Sequence, residues 1–150
     1  MVGLDFKIKN EYGDYLCKIL HSVNVFKYNW EIFSDDIICD GKDGSGLFNA
    51  YVIEGNDFFS KISKNKYYLI FADLKALPTN GTRKNITSFS DFWESDYEIV
   101  LLCSDSEFIE FYCKDEDIIE VVIKNCKKNN FDSLKILSIE DARNRSMVAF

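Results

Sequence analysis

The sequence predicts an α+β domain in which one central mixed sheet of about five to seven strands is flanked by helices. Three observations lead to this fold class. Segments with strand periodicity and segments with helical periodicity alternate along the chain. Two pairs of strand segments are joined by short turns, which excludes a purely parallel sheet. The 150 residues are 47% hydrophobic and 15% aromatic, so we expect residues 1–150 to form a single globular domain with its own core.

The chain is predicted to begin with a strand and a helix. In VGLDFKIK (residues 2–9) apolar and polar side chains alternate, as they do along a half-buried strand. From Tyr12 to Val23 apolar residues recur at helical spacing, and Asn10 is suited to cap this helix. His21 then lies in the last helical turn, where we expect a surface residue rather than a catalytic base.

A β-hairpin and a glycine-rich loop are predicted next. NWEIF (29–33) and DIICD (36–40) have strand character and are separated only by a short polar segment. GKDGSG (41–46) lacks both spacings that are typical of phosphate-binding loops, and its aspartate would repel a phosphate. We therefore expect a plain loop there.

The rest of the chain is predicted to alternate between helices and strands. The predicted elements are, in order, a helix over 56–64, a strand from 67 to the turn at 78–82, a helix over 87–96, strands over 97–105 and 107–115, a helix over 116–130, a strand over 131–138 and the start of a helix at 139. Asp115 is expected to cap the helix that follows it. The strands 97–105 and 107–115 form a hairpin, and we expect the second of them to border the sheet.

Two charged residues interrupt the most apolar strand, and they suggest a ligand site. Asp73 and Lys75 lie two residues apart, on one face of the strand, and we expect both at its solvated end. Asn80, Arg83 and Lys84 follow on the loop after that end. Because open sheets bind ligands at the carboxyl ends of strands, these five residues are the candidate pocket for a small anion or polar ligand, such as a nucleotide.

A second candidate site lies in the acidic segment after residue 105. Glu107, Phe108, Glu110 and Tyr112 combine carboxylates with aromatic rings, a combination by which an acidic protein can recognise a basic protein partner. Alternatively, the same four residues belong to a solvent-exposed edge strand whose charges prevent it from pairing with another chain.

Charge and composition exclude several classes of partner. The net charge of −7 and the pI near 4.7 argue against nucleic acid and against anionic membranes, which require clustered lysine and arginine. No apolar run is long enough to span a bilayer, and MVGLDFKIKN lacks a positively charged start followed by a long apolar stretch, so we expect a cytoplasmic protein. The five cysteines are scattered and only one histidine is present, so we expect reduced thiols, no metal site and no cofactor.

Two functions from different classes are compatible with these features, and neither is catalytic. The sequence contains neither a GxSxG nor an HExxH motif, so we assign no catalytic residue and favour a protein that is not an enzyme. The first hypothesis is an acidic interaction protein, such as an immunity or inhibitor protein that neutralises a basic toxin or enzyme. The alternative is a protein that binds or sequesters a small ligand. A thiol or general acid–base enzyme is a third reading.

Three segments of the chain resemble a known group of proteins. NEYGDYLCKIL, YYLIFADLKALPTNG and DFWESDYEIVLLCSDSEFIEFYCKD, in that order, are similar to a small bacterial family of unknown function that occurs mostly in low-GC Gram-positive genomes. The resemblance covers most of the chain and implies a bacterial, cytosolic origin. It assigns no functional residue.

Overall fold

The computed structural model describes residues 1–39 and 46–149, which form one sheet and its covering helices. The strands are β1 (Gly3–Lys7), β2 (Tyr28–Cys39), β3 (Val52–Glu54), β4 (Tyr67–Pro78), β5 (Ile99–Ser104), β6 (Phe108–Cys113) and β7 (Asp132–Leu137). The α-helices are α1 (Tyr15–Ile19), α2 (Gly55–Lys64), α3 (Phe89–Trp93), α4 (Glu116–Lys128) and α5 (Ile139–Ala142). The strand order is β3-β2-β4-β5-β6-β1-β7. The α+β class with a single central sheet is therefore confirmed.

The sheet is antiparallel rather than mixed. Every strand pairing between described residues is antiparallel. β6 and β7, which α4 connects, run in the same direction. They are not neighbours, however, because β1 lies between them and pairs with both. The same insertion corrects the expectation that β6 borders the sheet, since β6 pairs with β5 on one side and β1 on the other.

The predicted hairpin between residues 29 and 40 is wrong, because β2 is one continuous strand. It pairs along its whole length with β4, and a bulge at Phe33 absorbs the irregular spacing. The polar residues taken for a turn have other partners: the Asp35 carboxylate accepts backbone N–H bonds from Leu47, Phe48 and Asn49 at 2.7–3.0 Å. The GKDGSG loop lies outside the described residues, apart from Gly46.

The first helix is shorter than its apolar spacing predicted. Gly13 pairs with Tyr67 in an isolated β-bridge, and extended backbone there delays the start of the helix, so that Asp14 rather than Asn10 occupies the N-cap. α1 ends at Ile19, which leaves His21 exposed in the following turn. By contrast, the predicted cap of α4 is confirmed, since Asp115 accepts the N–H of Asp117 at 2.9 Å.

The two faces of the sheet carry separate cores. On the front face, α1, α2 and α4 cover the larger core, in which Trp30 stacks on Phe58 at 4.1 Å between ring centroids. The back face carries a smaller core around Phe92, Tyr97 and Met147. The described residues cover this face only in part, through α3, α5 and the C-terminal segment (residues 143–149). Among the described residues, no helix combines the length and hydropathy needed to cross a bilayer.

Candidate functional site

Asp73 and Lys75 are buried beneath the back-face cover, so the expectation that they lie at a solvated strand end is wrong. Each side chain is only 1% exposed, and Lys75 Nζ donates to Asp73 Oδ1 at 2.5 Å. The backbone N–H of Ala149 donates to Asp73 Oδ2 at 3.3 Å, and the ring of Phe33 lies 4.5 Å from Lys75 Nζ. The C-terminal segment and the bulged Phe33 therefore exclude water from the pair.

A register shift explains why simple alternation misplaced the residues of β4. Leu69 pairs with Ile37, whereas Phe71 pairs with the preceding residue of β2, so β4 carries one extra residue at Ile70. Tyr67 and Leu69 consequently join the front core, while Phe71 and the two charged residues face the back. A single bulge therefore moves the side chains of half the strand to the opposite face of the sheet.

The buried pair continues into a network that spans two strands and a loop. Glu31 is the cross-strand neighbour of Lys75 and is 2% exposed. It accepts the Tyr97 hydroxyl at 2.5 Å and Arg83 Nε at 2.8 Å. Loss of hydration on burial raises the pKa of Asp73 and lowers the pKa of Lys75, and their mutual attraction offsets part of both shifts.

The structure brings together only part of the predicted ligand pocket. Arg83 contacts the buried network through Glu31, while its side chain is 66% exposed. Lys84 is exposed, and its contacts with Tyr97 involve its backbone: its carbonyl accepts the Tyr97 hydroxyl at 3.2 Å, and its N–H donates to the same oxygen at 3.4 Å. Asn80 lies exposed in the turn. Asp73 and Lys75 are therefore separated from the loop residues by protein rather than by an open pocket.

A second polar network occupies the other side of the back face, where β1 and β6 meet. Asp5 and Glu110 lie directly opposite each other. Arg145 from the C-terminal segment binds both oxygens of Asp5, at 2.7 and 2.9 Å, and Glu110 at 3.3 Å. The Tyr112 hydroxyl donates to Glu110 at 2.5 Å, and burial raises the pKa of Tyr112. Two of the four residues predicted for partner recognition are thus engaged within the molecule.

A groove of about 550 Å³ adjoins this network, and we name it the back-face groove. Its lining includes Lys7, Ser104, Phe108, Ser133 and Val148. The Phe108 ring is 43% exposed and lies 4.8 Å from Lys7 Nζ. Of the predicted partner residues, Phe108 and Glu110 therefore line the groove, while Glu107 precedes them in the turn.

Beyond the C-terminal segment, the back face carries apolar side chains that no described element covers. Register and alternation place Phe33, Ile38, Tyr68, Phe71 and Phe108 there, and we name this surface the open half. Phe33, Ile38 and Phe108 are 49%, 39% and 43% exposed. The water-facing side of an antiparallel sheet is ordinarily polar, so aromatic residues at this place need another explanation.

The Cys17 and Cys103 thiols are not activated for nucleophilic attack. Cys17 and His21 line one small cavity of about 140 Å³, but burial and the nearby Asp14 raise the pKa of Cys17. Burial likewise raises the pKa of Cys103 to about 12. Both thiols are therefore protonated at neutral pH. Within the part of the chain that the structure describes, no group of three or more His, Cys, Asp or Glu side chains is arranged to hold a metal ion.

Some residues of these networks carry no signal that sequence reasoning could have used. Arg145 lies in an irregular segment, and Asp5 reads as an ordinary solvent-facing position of an alternating strand. Their contact spans 140 residues of sequence. Only the tertiary arrangement shows that the two form one site with Glu110.

Comparisons with known proteins find relatives without an assigned function. A family model described as "Protein of unknown function (DUF2691)" matches residues 1–148. The chain is 32% identical over 148 residues to the uncharacterized protein YncE of Bacillus subtilis (strain 168), and the aligned region covers 97% of each chain. No solved structure matches the chain with significance. The predicted resemblance to an uncharacterised family of low-GC Gram-positive bacteria is confirmed.

Proposed function

The chain belongs to the DUF2691 family of proteins of unknown function, and on that premise we propose that it is a non-enzymatic interaction protein of the bacterial cytoplasm that binds a basic protein partner through the open half. The observation that carries the proposal is the cluster of half-exposed apolar side chains on a sheet surface that no described element covers. Contiguous apolar patches with aromatic residues are typical of protein-binding surfaces.

A basic partner fits this surface better than a second copy of the chain. Each copy carries a net charge of −7, so two copies repel each other at low ionic strength. Asp36 lies exposed beside Phe71 within the open half, and Glu107 adjoins Phe108 at its border. A partner that presents lysine or arginine around an apolar centre would match both features.

An immunity or inhibitor protein is the most specific form of this proposal. Such a protein neutralises a basic toxin or enzyme by covering its surface, which requires shape and charge but no chemistry. The small size and acidic charge of the chain support this form, and so does the raised pKa of the Cys17 thiol, which argues against nucleophilic catalysis.

Affinity capture with two matched variants tests the proposal. Ile38→Lys places a positive charge on the open half, whereas Ile136→Lys places one on the other face of the sheet, on the edge strand β7 opposite Leu4; the two residues are 39% and 51% exposed. We expect the parent and Ile136→Lys to retain a basic protein from a lysate of the native cell at low salt, and Ile38→Lys to lose it. Mass spectrometry identifies the protein, and titration with the purified partner measures the loss. Equal capture by both variants would place the interface elsewhere.

Binding of a small anion at the loop after β4 is the second candidate function. Arg83 uses Nε to contact Glu31, while its terminal nitrogens form no hydrogen bond with a described residue. Lys84 beside it is exposed. Two basic groups available on one loop of an acidic protein favour a phosphate or a nucleotide.

A thermal-shift titration tests this candidate. Inorganic phosphate and ATP should each raise the melting temperature of the parent, because a bound ligand at a hundredfold excess over its Kd stabilises the native state by about 2.7 kcal/mol. The ligand-induced shift should disappear in the Arg83→Ala, Lys84→Ala variant. It should persist in the matched Lys64→Ala, Lys66→Ala variant, which removes two exposed lysines. An unchanged shift in the first variant would rule out the loop.

A further inference from the structure

The back-face groove has a size and a composition that the proposed protein–protein function does not use. Its volume of about 550 Å³ is within the range of small-molecule sites. The floor is formed by neighbouring strands, so its shape is set by the sheet rather than by mobile loops. One wall is the C-terminal segment, through Ser146 and Val148.

One end of the groove is acidic. Arg145 binds both oxygens of Asp5 and also contacts Glu110. Its one positive charge reduces the repulsion between the two opposed carboxylates but balances only one of them, and one Glu110 oxygen forms no hydrogen bond to a described residue. We therefore do not expect an anionic ligand to place its charge at this end.

The other end of the groove presents polar groups that have no ionic or hydrogen-bonding partner among the described residues. Lys7 is the cross-strand neighbour of Asp132, yet its ammonium group forms no ion pair with any described residue. The hydroxyl groups of Ser104 and Ser133 make no hydrogen bond to the described part of the chain. An ammonium group with two hydroxyls in the same groove is suited to an anion rather than a cation.

The space between the two ends is bordered by apolar surface. The half-exposed ring of Phe108 forms one side, and the partly buried Val148 lines the groove as well. The Lys7 ammonium lies 4.8 Å from the centre of the Phe108 ring. An anionic group at Lys7 would therefore place the attached body of a ligand within reach of the ring.

We propose that the back-face groove binds a small organic carboxylate, with its anionic group at Lys7 and an aromatic or aliphatic body against Phe108 and Val148. This site is distinct from the Arg83 loop. It shares Phe108 with the open half, but its test uses small probes and no protein partner. Charge at Lys7 supplies selectivity for the anion, and the apolar walls supply most of the contact area.

Titration with benzoate and benzamide, followed by ¹H–¹⁵N NMR, tests the proposal. The two probes have nearly the same shape and differ in charge. Benzoate should shift the amide signals of residues 5–7, 108–110 and 146–148, and benzamide should bind about tenfold more weakly, as expected for loss of one charge-assisted contact. Lys7→Gln should reduce the affinity for benzoate to that for benzamide.

Lys9→Gln is the matched control, because it removes the same charge two residues further along the chain, at an exposed position that does not line the groove. It should leave benzoate binding within about twofold of the parent, since the lost charge is exposed, screened by salt and outside the groove. Equal affinity of the parent for the two probes, equal effects of the two substitutions, or shifts confined to other residues would each overturn the proposal. None of these outcomes bears on partner capture by the open half.

Discussion

Replacing Lys75 by methionine should lower the free energy of unfolding by about 3–5 kcal/mol, the cost of leaving one charge of a buried ion pair without its partner. Methionine retains most of the apolar stem, so the loss reports on the charge rather than on a cavity. Asp73 would remain 1% exposed beneath the C-terminal segment with one backbone N–H from Ala149 as its hydrogen bond. Urea denaturation followed by fluorescence measures the change.

Two further variants show whether the loss of stability comes from the unpaired charge and from its burial. Asp73→Leu combined with Lys75→Met should recover most of the loss, because apolar residues that replace a whole buried ion pair are often neutral or stabilising. Lys18→Met removes one partner of an exposed pair, Lys18 and Asp14 at 3.6 Å, and should cost only about 0–0.5 kcal/mol. If Lys75→Met costs no more than Lys18→Met, the buried pair is not a determinant of stability.

The penalty of Lys75→Met should also depend on pH in a defined direction. Burial already raises the pKa of Asp73 above its ordinary value of 3.8 in the folded protein, and removal of Lys75 raises it further. A carboxyl group whose pKa is higher in the folded state contributes stability at low pH that is lost as the pH rises through that pKa. The variant should therefore come closest to the parent in acid, and a penalty that grows as the pH falls would contradict this.

Arg145→Leu should lower the free energy of unfolding by about 1–2 kcal/mol and loosen the C-terminal segment. The guanidinium lies against both Asp5 and Glu110, which face each other across two strands, and it offsets part of their mutual repulsion. All three side chains remain about one third exposed, so water moderates the cost. The amide of Met147, which donates to the carbonyl of Thr87 at 3.0 Å, should exchange its hydrogen faster.

Arg143→Leu provides a control in the same segment. Arg143 forms a pair with Glu140 at 3.3 Å in which the side chains are 58% and 82% exposed, and its loss should change stability by less than about 0.5 kcal/mol. Hydrogen exchange at Met147 should then match the parent. Equal exchange in the two variants would mean that Arg145 does not anchor the segment.

The candidate sites differ in how far the sequence could reveal them. Phe108 was singled out from its aromatic and acidic neighbours, and it does lie where the open half meets the groove. Lys7 was not singled out, because a lysine in an alternating strand looks like any solvent-facing residue. Its significance depends on which residues of β6 and β7 lie beside it, and strand neighbours are chosen by the whole sheet.

Local pattern by itself determined the class of the fold and most of its elements. The apolar run from Tyr67 became β4, and the capped helix after Asp115 became α4, because periodicity and capping depend on residues a few positions apart. Composition similarly determined the acidic charge. These properties need no knowledge of distant contacts.

Only the tertiary structure decided which strands are neighbours and which charges are buried. β1 inserts between β6 and β7, and residue 149 closes over Asp73, although more than seventy residues separate the two in sequence. A bulge in β2 and another in β4 shift the register by one residue each. Side chains that simple alternation assigns to one face of the sheet therefore point to opposite faces on the two sides of a bulge. Burial and strand order result from packing between distant segments, and that packing leaves no periodic signal in the sequence.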